Sequence, residues 1–372
     1  MKRKILFCIP SLTGGGAEKA LVDVLSYIDY EIFDVDILLF RKEGVYLSEL
    51  RPEVKVMSLF SNNRLIRLLN PFDYILRHTH FNSFLLRIFI LKKIKKSYDI
   101  EVAFLEGLPT KIIGLHISNA IKIAWIHCDL YNFHWSAHFF KSDDEERRIY
   151  NQFDKLIFVS NSALNQFSKL FAGFSDRSSV IYNILNTELI LCKSKMQAVH
   201  KRKLTLCAVG RLTEQKGFNR LINVCKDLCD HGFDFDCWIL GDGHLYNELN
   251  DLVASNSLSD VVFLKGYVSN PYPYIASCDF LVSPSLSEGF SLVIAESLLL
   301  GIPVVATNTS GPCELLDDCG VIVENSENGL RDGITFLFDK KQRDKYAKLA
   351  LNRSKIFKTS DVLNQINKIF GL

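Results

Sequence analysis

The sequence has 372 residues, 48% of them hydrophobic and 23% charged, with 44 Lys and Arg against 42 Asp and Glu. That length exceeds what one core usually serves, and the apolar share fills two, so a disordered chain is excluded and a soluble two-domain protein is expected. A net charge of +2 gives no ground for a nucleic-acid partner, and no apolar run is long enough to span a membrane as a helix.

Met1-Lys2-Arg3-Lys4 before Ile5 to Ile9 imitates a signal peptide, but the apolar core is too short and stops at Pro10, so it reads as a first strand. Gly14-Gly15-Gly16-Ala17-Glu18 follows. At Gly15 and Gly16 backbone amides can approach a phosphate or sugar closely, although a bare triple glycine is more often just a turn. Lys19 stands where a dinucleotide fingerprint needs its third glycine, which disfavours a nicotinamide enzyme. Strand-like runs follow at Val35 to Phe40, Ile100 to Leu105, Lys122 to Ile126, Leu156 to Val159 and Val180 to Asn183, separated by stretches of helical period. Such alternation predicts a parallel α/β sheet. Asp34-Val35-Asp36 matches an Asp-x-Asp metal pattern, yet in a strand alternate residues simply face solvent, so it is read as structural. No essential metal and no cofactor is expected.

The basic excess is local: residues 1–185 hold 24 Lys and Arg against 20 Asp and Glu, and 186–372 hold 20 against 22. Residues 62–98 carry Arg64, Arg67, Arg77, Arg87, Lys92, Lys93, Lys95 and Lys96 against Asp73 alone, interleaved with Leu, Ile and Phe. This pattern suits an anionic membrane surface, the plain alternative being a packed helical pair with solvated charges. His127, after the strand-like Ile123 to Ile126, sits at a strand's carboxyl end; Glu106 and Asp129 occupy comparable places and are weaker candidates. A lone histidine is usually a satisfied structural residue. His134 and His138 flank Trp135 in what reads as a mobile loop. The ten cysteines include no Cys-x-x-Cys pair and no metal-ligand spacing, which points to a reducing, cytoplasmic setting, with peripheral attachment at the inner face of the membrane through 62–98.

The expected division is 1–185, a linker over 186–203 with little periodicity, a second domain over 204–354, and a tail, 355–372, holding a helix near Ser360 to Phe370. The second half opens as the first does. Leu204 to Val209 reads as a strand, Gly210-Arg211-Leu212-Thr213-Glu214-Gln215-Lys216-Gly217 as a loop, and Phe218 to Leu228 as a helix. A guanidinium forks onto phosphate oxygens and a lysine adds a point charge, so Arg211 and Lys216 suit a diphosphate, unless they are merely solvated. Further strands are expected near Trp238, Phe263, Leu281 and Val304. Glu288 then precedes a helix over Ser291 to Leu300, closed by Gly301 and Pro303, while Glu296 lies on it, so one acid faces a ligand's head and the other its tail.

Gly210-Arg211-Leu212…Lys216-Gly217 and Glu288…Glu296 together resemble the retaining glycosyltransferases of family 4, with a Gly-Arg-Leu…Lys-Gly loop and a Glu-x7-Glu motif. Ile239-Leu-Gly-Asp-Gly243, Phe263-Leu-Lys-Gly-Tyr-Val268, Pro284-Ser-Leu-Ser-Glu-Gly-Phe290 and Gly301-Ile-Pro-Val-Val-Ala306 are similar in order, so the likeness is dense over 204–320 and thin elsewhere. The resemblance implies a GT-B fold: two Rossmann-like α/β domains, their parallel sheets facing a central cleft, the first binding acceptor, the second the nucleotide-sugar, and a C-terminal helix crossing back. It implies Glu288, Arg211, Lys216 and His127 as the catalytic set. Donor contacts would come from Arg211 and Lys216 on the diphosphate, Gly266, Tyr267 and Val268 on the base, Glu288 on the sugar and Glu296 on the ribose. Gly289, Phe290, Ser291 and Leu292 would complete the phosphate site. A UDP-hexose or UDP-N-acetylhexosamine donor is favoured, with GDP-mannose second. The expected acceptor is a saccharide or lipid-linked saccharide in surface polysaccharide or lipopolysaccharide assembly. A nucleotide-sugar epimerase, a phosphorylase and a non-catalytic nucleotide-sugar-binding partner are the alternatives.

Overall fold

The computed structural model describes residues 2–59, 90, 91 and 93–372, in two compact units: Met1–Ile184 with Leu363–Leu372, and Leu185–Val362. In the first unit the described strands are β1 (Arg3–Ile9), β2 (Phe33–Leu39), β3 (Lys55–Ser58), β4 (Ile100–Ala103), β5 (Ile121–Ile126), β6 (Lys155–Phe158) and β7 (Ser178–Val180). They form one parallel sheet in the order β3-β2-β1-β4-β5-β6-β7. β1 and β4 read as near-continuous apolar runs because helices cover both faces of such a sheet. Beside β6 the core is aromatic: the Phe167 ring lies 5.0 Å from both Tyr150 and Phe158 and 5.1 Å from Phe171. The chain end joins this unit, with the Phe370 ring 6.2 Å from Phe7 and 6.0 Å from Phe33, and Lys155 Nζ donating to the Ile369 carbonyl at 2.8 Å.

In the second unit β8 (Thr205–Val209), β9 (Asp236–Leu240), β10 (Val262–Leu264), β11 (Phe280–Ser283), β12 (Val304–Thr307) and β13 (Val321–Val323) make a parallel sheet in the order β10-β9-β8-β11-β12-β13. The helix Phe218–Asp230 buries Phe218, Leu221, Ile222, Val224, Cys225 and Leu228 against it, a spacing that follows the helical repeat.

Three expectations change. The stretch 186–203 is not irregular throughout: Asn186 Oδ1 accepts from Leu189 N at 3.1 Å and opens a helix over Thr187–Ser194, which buries Ile190. The helix after Glu288 spans Leu292–Leu299, about two turns rather than three. Ser291 is its N-cap, and Gly301 at φ +72 ends it, with Gly301 N donating to the Leu298 carbonyl and Ile302 N to that of Ser297. Asp36, expected to face solvent, is 3% exposed, with Tyr98 and Lys96 against it; Tyr98 Oη donates to it at 2.7 Å and Lys96 Nζ at 3.1 Å. Lys96 also holds Asp34 at 2.9 Å, so one of the eight cations of 62–98 is a structural ion pair. Most of that stretch, 62–89 and Lys92, lies outside the described residues. No described helix is long and apolar enough to cross a membrane.

Candidate active site

In an open parallel sheet ligands bind beyond the carboxyl ends of the strands, where the strand order reverses. In the second unit that point lies between β8 and β11, which are followed by the loops 210–217 and 284–291. These loops meet backbone to backbone. Gly217 has φ +64, and a Cβ there would collide with the Pro284 carbonyl oxygen; one on Gly311 would collide with the peptide of Gly289. Across the neighbouring strand pair, Gly241 at φ +144 lies against the Gly210 carbonyl and Gly243 against that of Leu212. Leu286 N donates to the Gln215 carbonyl at 2.8 Å, Gln215 Nε2 to that of Ser287 at 3.0 Å, and Arg220 donates to the Pro284 carbonyl.

This packing brings Lys216 Nζ to 2.5 Å from Glu288 Oε2, on which Ser285 Oγ also donates at 3.2 Å. Glu288 is 9% exposed, its carbonyl accepting from Gly311 N at 2.9 Å and Ser310 Oγ at 3.0 Å. Glu296 is buried one helical segment further on, with Tyr272 Oη donating to it at 3.1 Å from the helix Tyr272–Ser277. Arg211 is exposed at the mouth of its loop. Gly289, Phe290, Ser291 and Leu292 run into the helix start, and since Ala295 N is bonded to the Ser291 carbonyl, the amides of Leu292, Val293 and Ile294 precede the first intrahelical donor. Gly266, at φ +68, has open space where a Cβ would stand, and its carbonyl accepts from Gly241 N; Tyr267 beside it is half exposed and Val268 partly buried.

The corresponding edge of the first unit is built from side chains on its β4–β5 side, whereas after β2 Gly44, at φ +127, lies against the Leu12 backbone. Gly14 has φ +121, and Gly15 is the N-cap of the helix Gly16–Tyr27, so the glycine loop does lead from β1 into a helix start. Glu106 is fully buried and accepts from His127 N at 2.9 Å and from Trp135 Nε1 at 3.0 Å. The His127 ring lies 4.9 Å from that of Phe104; burial holds its pKa down to about 3, so it stays neutral, and its Nε2 has no hydrogen-bond partner among the described residues. Asp129 accepts from Asn132 N at 3.0 Å and Asn132 Nδ2 at 2.7 Å, which closes a local turn. The segment expected as a mobile loop is instead a pinned turn: residues Trp135–Phe139 form a 3-10 helix, with Ser136 Oγ on Glu146 Oε1 at 2.7 Å and His134 Nε2 on Glu146 Oε2 at 2.8 Å. That bond raises the pKa of His134. His138 is exposed.

Ser285, Tyr272, Trp135 and Glu146 escape sequence reasoning because each reaches its partner through the tertiary fold; only the histidines flanking Trp135 mark its neighbourhood. Among the described residues no group of three or more His, Cys, Asp or Glu is placed to hold a metal ion.

Residues 193–353 match the family model for glycosyl transferases group 1. The N-acetylgalactosamine-N,N'-diacetylbacillosaminyl-diphospho-undecaprenol 4-alpha-N-acetylgalactosaminyltransferase of Campylobacter jejuni is 29% identical over 374 residues, covering 95% of this chain and 96% of that relative. Among solved structures, Anabaena HepE in complex with UDP and glucose superposes with a TM-score of 0.76 at 21% identity, covering 100% of both chains. WaaG, a glycosyltransferase involved in lipopolysaccharide biosynthesis, gives 0.66 at 14% identity over 99% of each chain. The fold of this chain is that of the GT-B transferases.

Proposed function

From the match of residues 193–353 to the glycosyl transferases group 1, we propose that the chain moves a hexosyl or N-acetylhexosaminyl group from a UDP-sugar to a saccharide or lipid-linked saccharide, with retention of anomeric configuration. The observation that carries the reading is the Lys216–Glu288 pair at the strand-order switch of the second sheet. A diphosphate competes with Glu288 for the ammonium. When the donor binds, Lys216 and Arg211 neutralise the departing phosphate, helped by the helix-start amides, and Glu288 is released to accept from sugar hydroxyls. Glu296 takes the ribose, and the backbone of 266–268 the base. No metal is required, because the two cations and the helix start answer the charge. The acceptor class follows the name of the Campylobacter jejuni relative, whose substrate is a diphospho-undecaprenol-linked saccharide. The donor base follows HepE, solved with UDP and glucose. The basic stretch 62–98 would meet the membrane from which such an acceptor is presented.

The test is transfer from a panel of nucleotide-sugars onto lipid-linked saccharides, with the anomeric configuration read by NMR. Lys216→Ala is expected to lower kcat by about 10²-fold or more. The pairing adds a stability term: truncating Lys216 leaves Glu288 short of a partner, a loss of about 1–3 kcal/mol that thermal unfolding would register. Unimpaired transfer by a folded Lys216→Ala variant would remove the assignment.

A further inference from the structure

We propose that Glu106 is a positioning residue for sugar transfer, its buried carboxylate fixing the His127 peptide and the Trp135 indole relative to each other at the carboxyl edge of the first sheet. This rests on the transferase reading, with His127 in its catalytic set, and goes beyond it in saying what holds that ring. An ionised carboxylate only accepts, and here each oxygen takes one N–H: Oε2 that of His127, Oε1 that of Trp135. A carboxylate this deep is unfavourable unless its bonds are made, so the site does not tolerate a shift of either donor. The chain turns immediately afterwards at Gly107, φ +82, where a Cβ would stand 2.9 Å from the Phe139 ring and 3.4 Å from that of Trp135. Glu146 fixes the far side of the same turn through Ser136 and His134. Two buried acids thus clamp the 134–139 turn from opposite sides, and only Glu106 carries the constraint on to β5 and His127. The enclosed His127 Nε2, which no described protein group satisfies, marks the ring as presenting a polar atom that the described fold does not use.

A double-mutant cycle tests this with the full chain and the UDP-sugar it turns over: Glu106→Gln, His127→Ala and the pair, with kcat, donor KM and thermal midpoint measured for each. Glutamine keeps the shape but turns an N–H₂ donor against one of the two N–H groups. The expected result is a kcat at least about tenfold lower in Glu106→Gln with donor KM nearly unchanged, and no further loss when the substitution is made in the His127→Ala background. Trp135→Phe, which leaves Glu106 in place, is the second variant, expected to lower kcat less and likewise to lose its effect without His127. Equal losses in both backgrounds mean that Glu106 only supports the fold and overturn the proposal, as does a Glu106→Gln enzyme with normal kcat. Wild-type turnover tests the transferase reading separately: a chain that moves no sugar fails there, whereas an active wild type with additive losses fails only for Glu106.

Discussion

At the carboxyl edge of the second sheet the loops are held backbone against backbone, glycine to carbonyl, while on the β4–β5 side of the same edge of the first sheet they are held by the buried carboxylates Glu106, Asp129 and Glu146. A backbone contact at glycine cannot give way, since any Cβ must displace a peptide; a side-chain clamp can change rotamer and relax. The second edge suits a ligand whose phosphates need amides at fixed positions. The first leaves room for side-chain adjustment.

If that contrast is real, substitutions of equal size should have unequal effects. The largest is expected at Gly241→Ala, where the new Cβ meets the Gly210 carbonyl and the backbone is at φ +144, with Gly217→Ala next; each should destabilise the chain by roughly 4 kcal/mol or more, read as a lower urea midpoint or loss of soluble protein. A Gly241→Ala variant with a normal midpoint would break the comparison. On the other edge Glu146→Gln should cost less, about 1–3 kcal/mol, because the amide still serves Ser136 or His134. The smallest effect is on pH dependence. Burial depresses the pKa of His127 from 6.5 to about 3, so the stability tied to its neutral form is complete above pH 6.5 and is lost as pH falls towards 3. His134 acts in the opposite sense, its pKa raised by Glu146, so its contribution is complete below its unfolded pKa and is lost as pH rises through the folded one. Replacing His127 by Phe should therefore flatten the acid limb of the stability profile between pH 6.5 and 5, by at most about 1.4 kcal/mol per pH unit, in urea titrations. An unchanged limb would show that the ring is not enclosed in solution.

The same contrast explains what was legible in the sequence. Alternation of apolar runs with helical stretches gave away both parallel sheets, and Gly210…Gly217 with Glu288…Glu296 marked the loops that the second fold brings to Lys216 and Glu288. Glycines that the backbone requires and acids at fixed spacing along one helix start are local signals. Glu106 and Trp135 lie 29 positions apart, Lys96 and Asp36 lie 60 apart, and no periodicity records such pairs. Asn186 was legible as a cap in principle, but the polar residues around it hid a short helix that buries one side chain, Ile190.

Among the described strands, those at the borders of each sheet, β3 and β7 in one and β10 and β13 in the other, are three or four residues long, whereas β1 and β2, inside the first sheet, have seven. A short border offers a neighbouring molecule few open N–H and C=O groups to zip onto. The long apolar strands that nucleate intermolecular β-aggregation are thereby kept in the interior, which protects a chain this rich in aliphatic residues when it is concentrated.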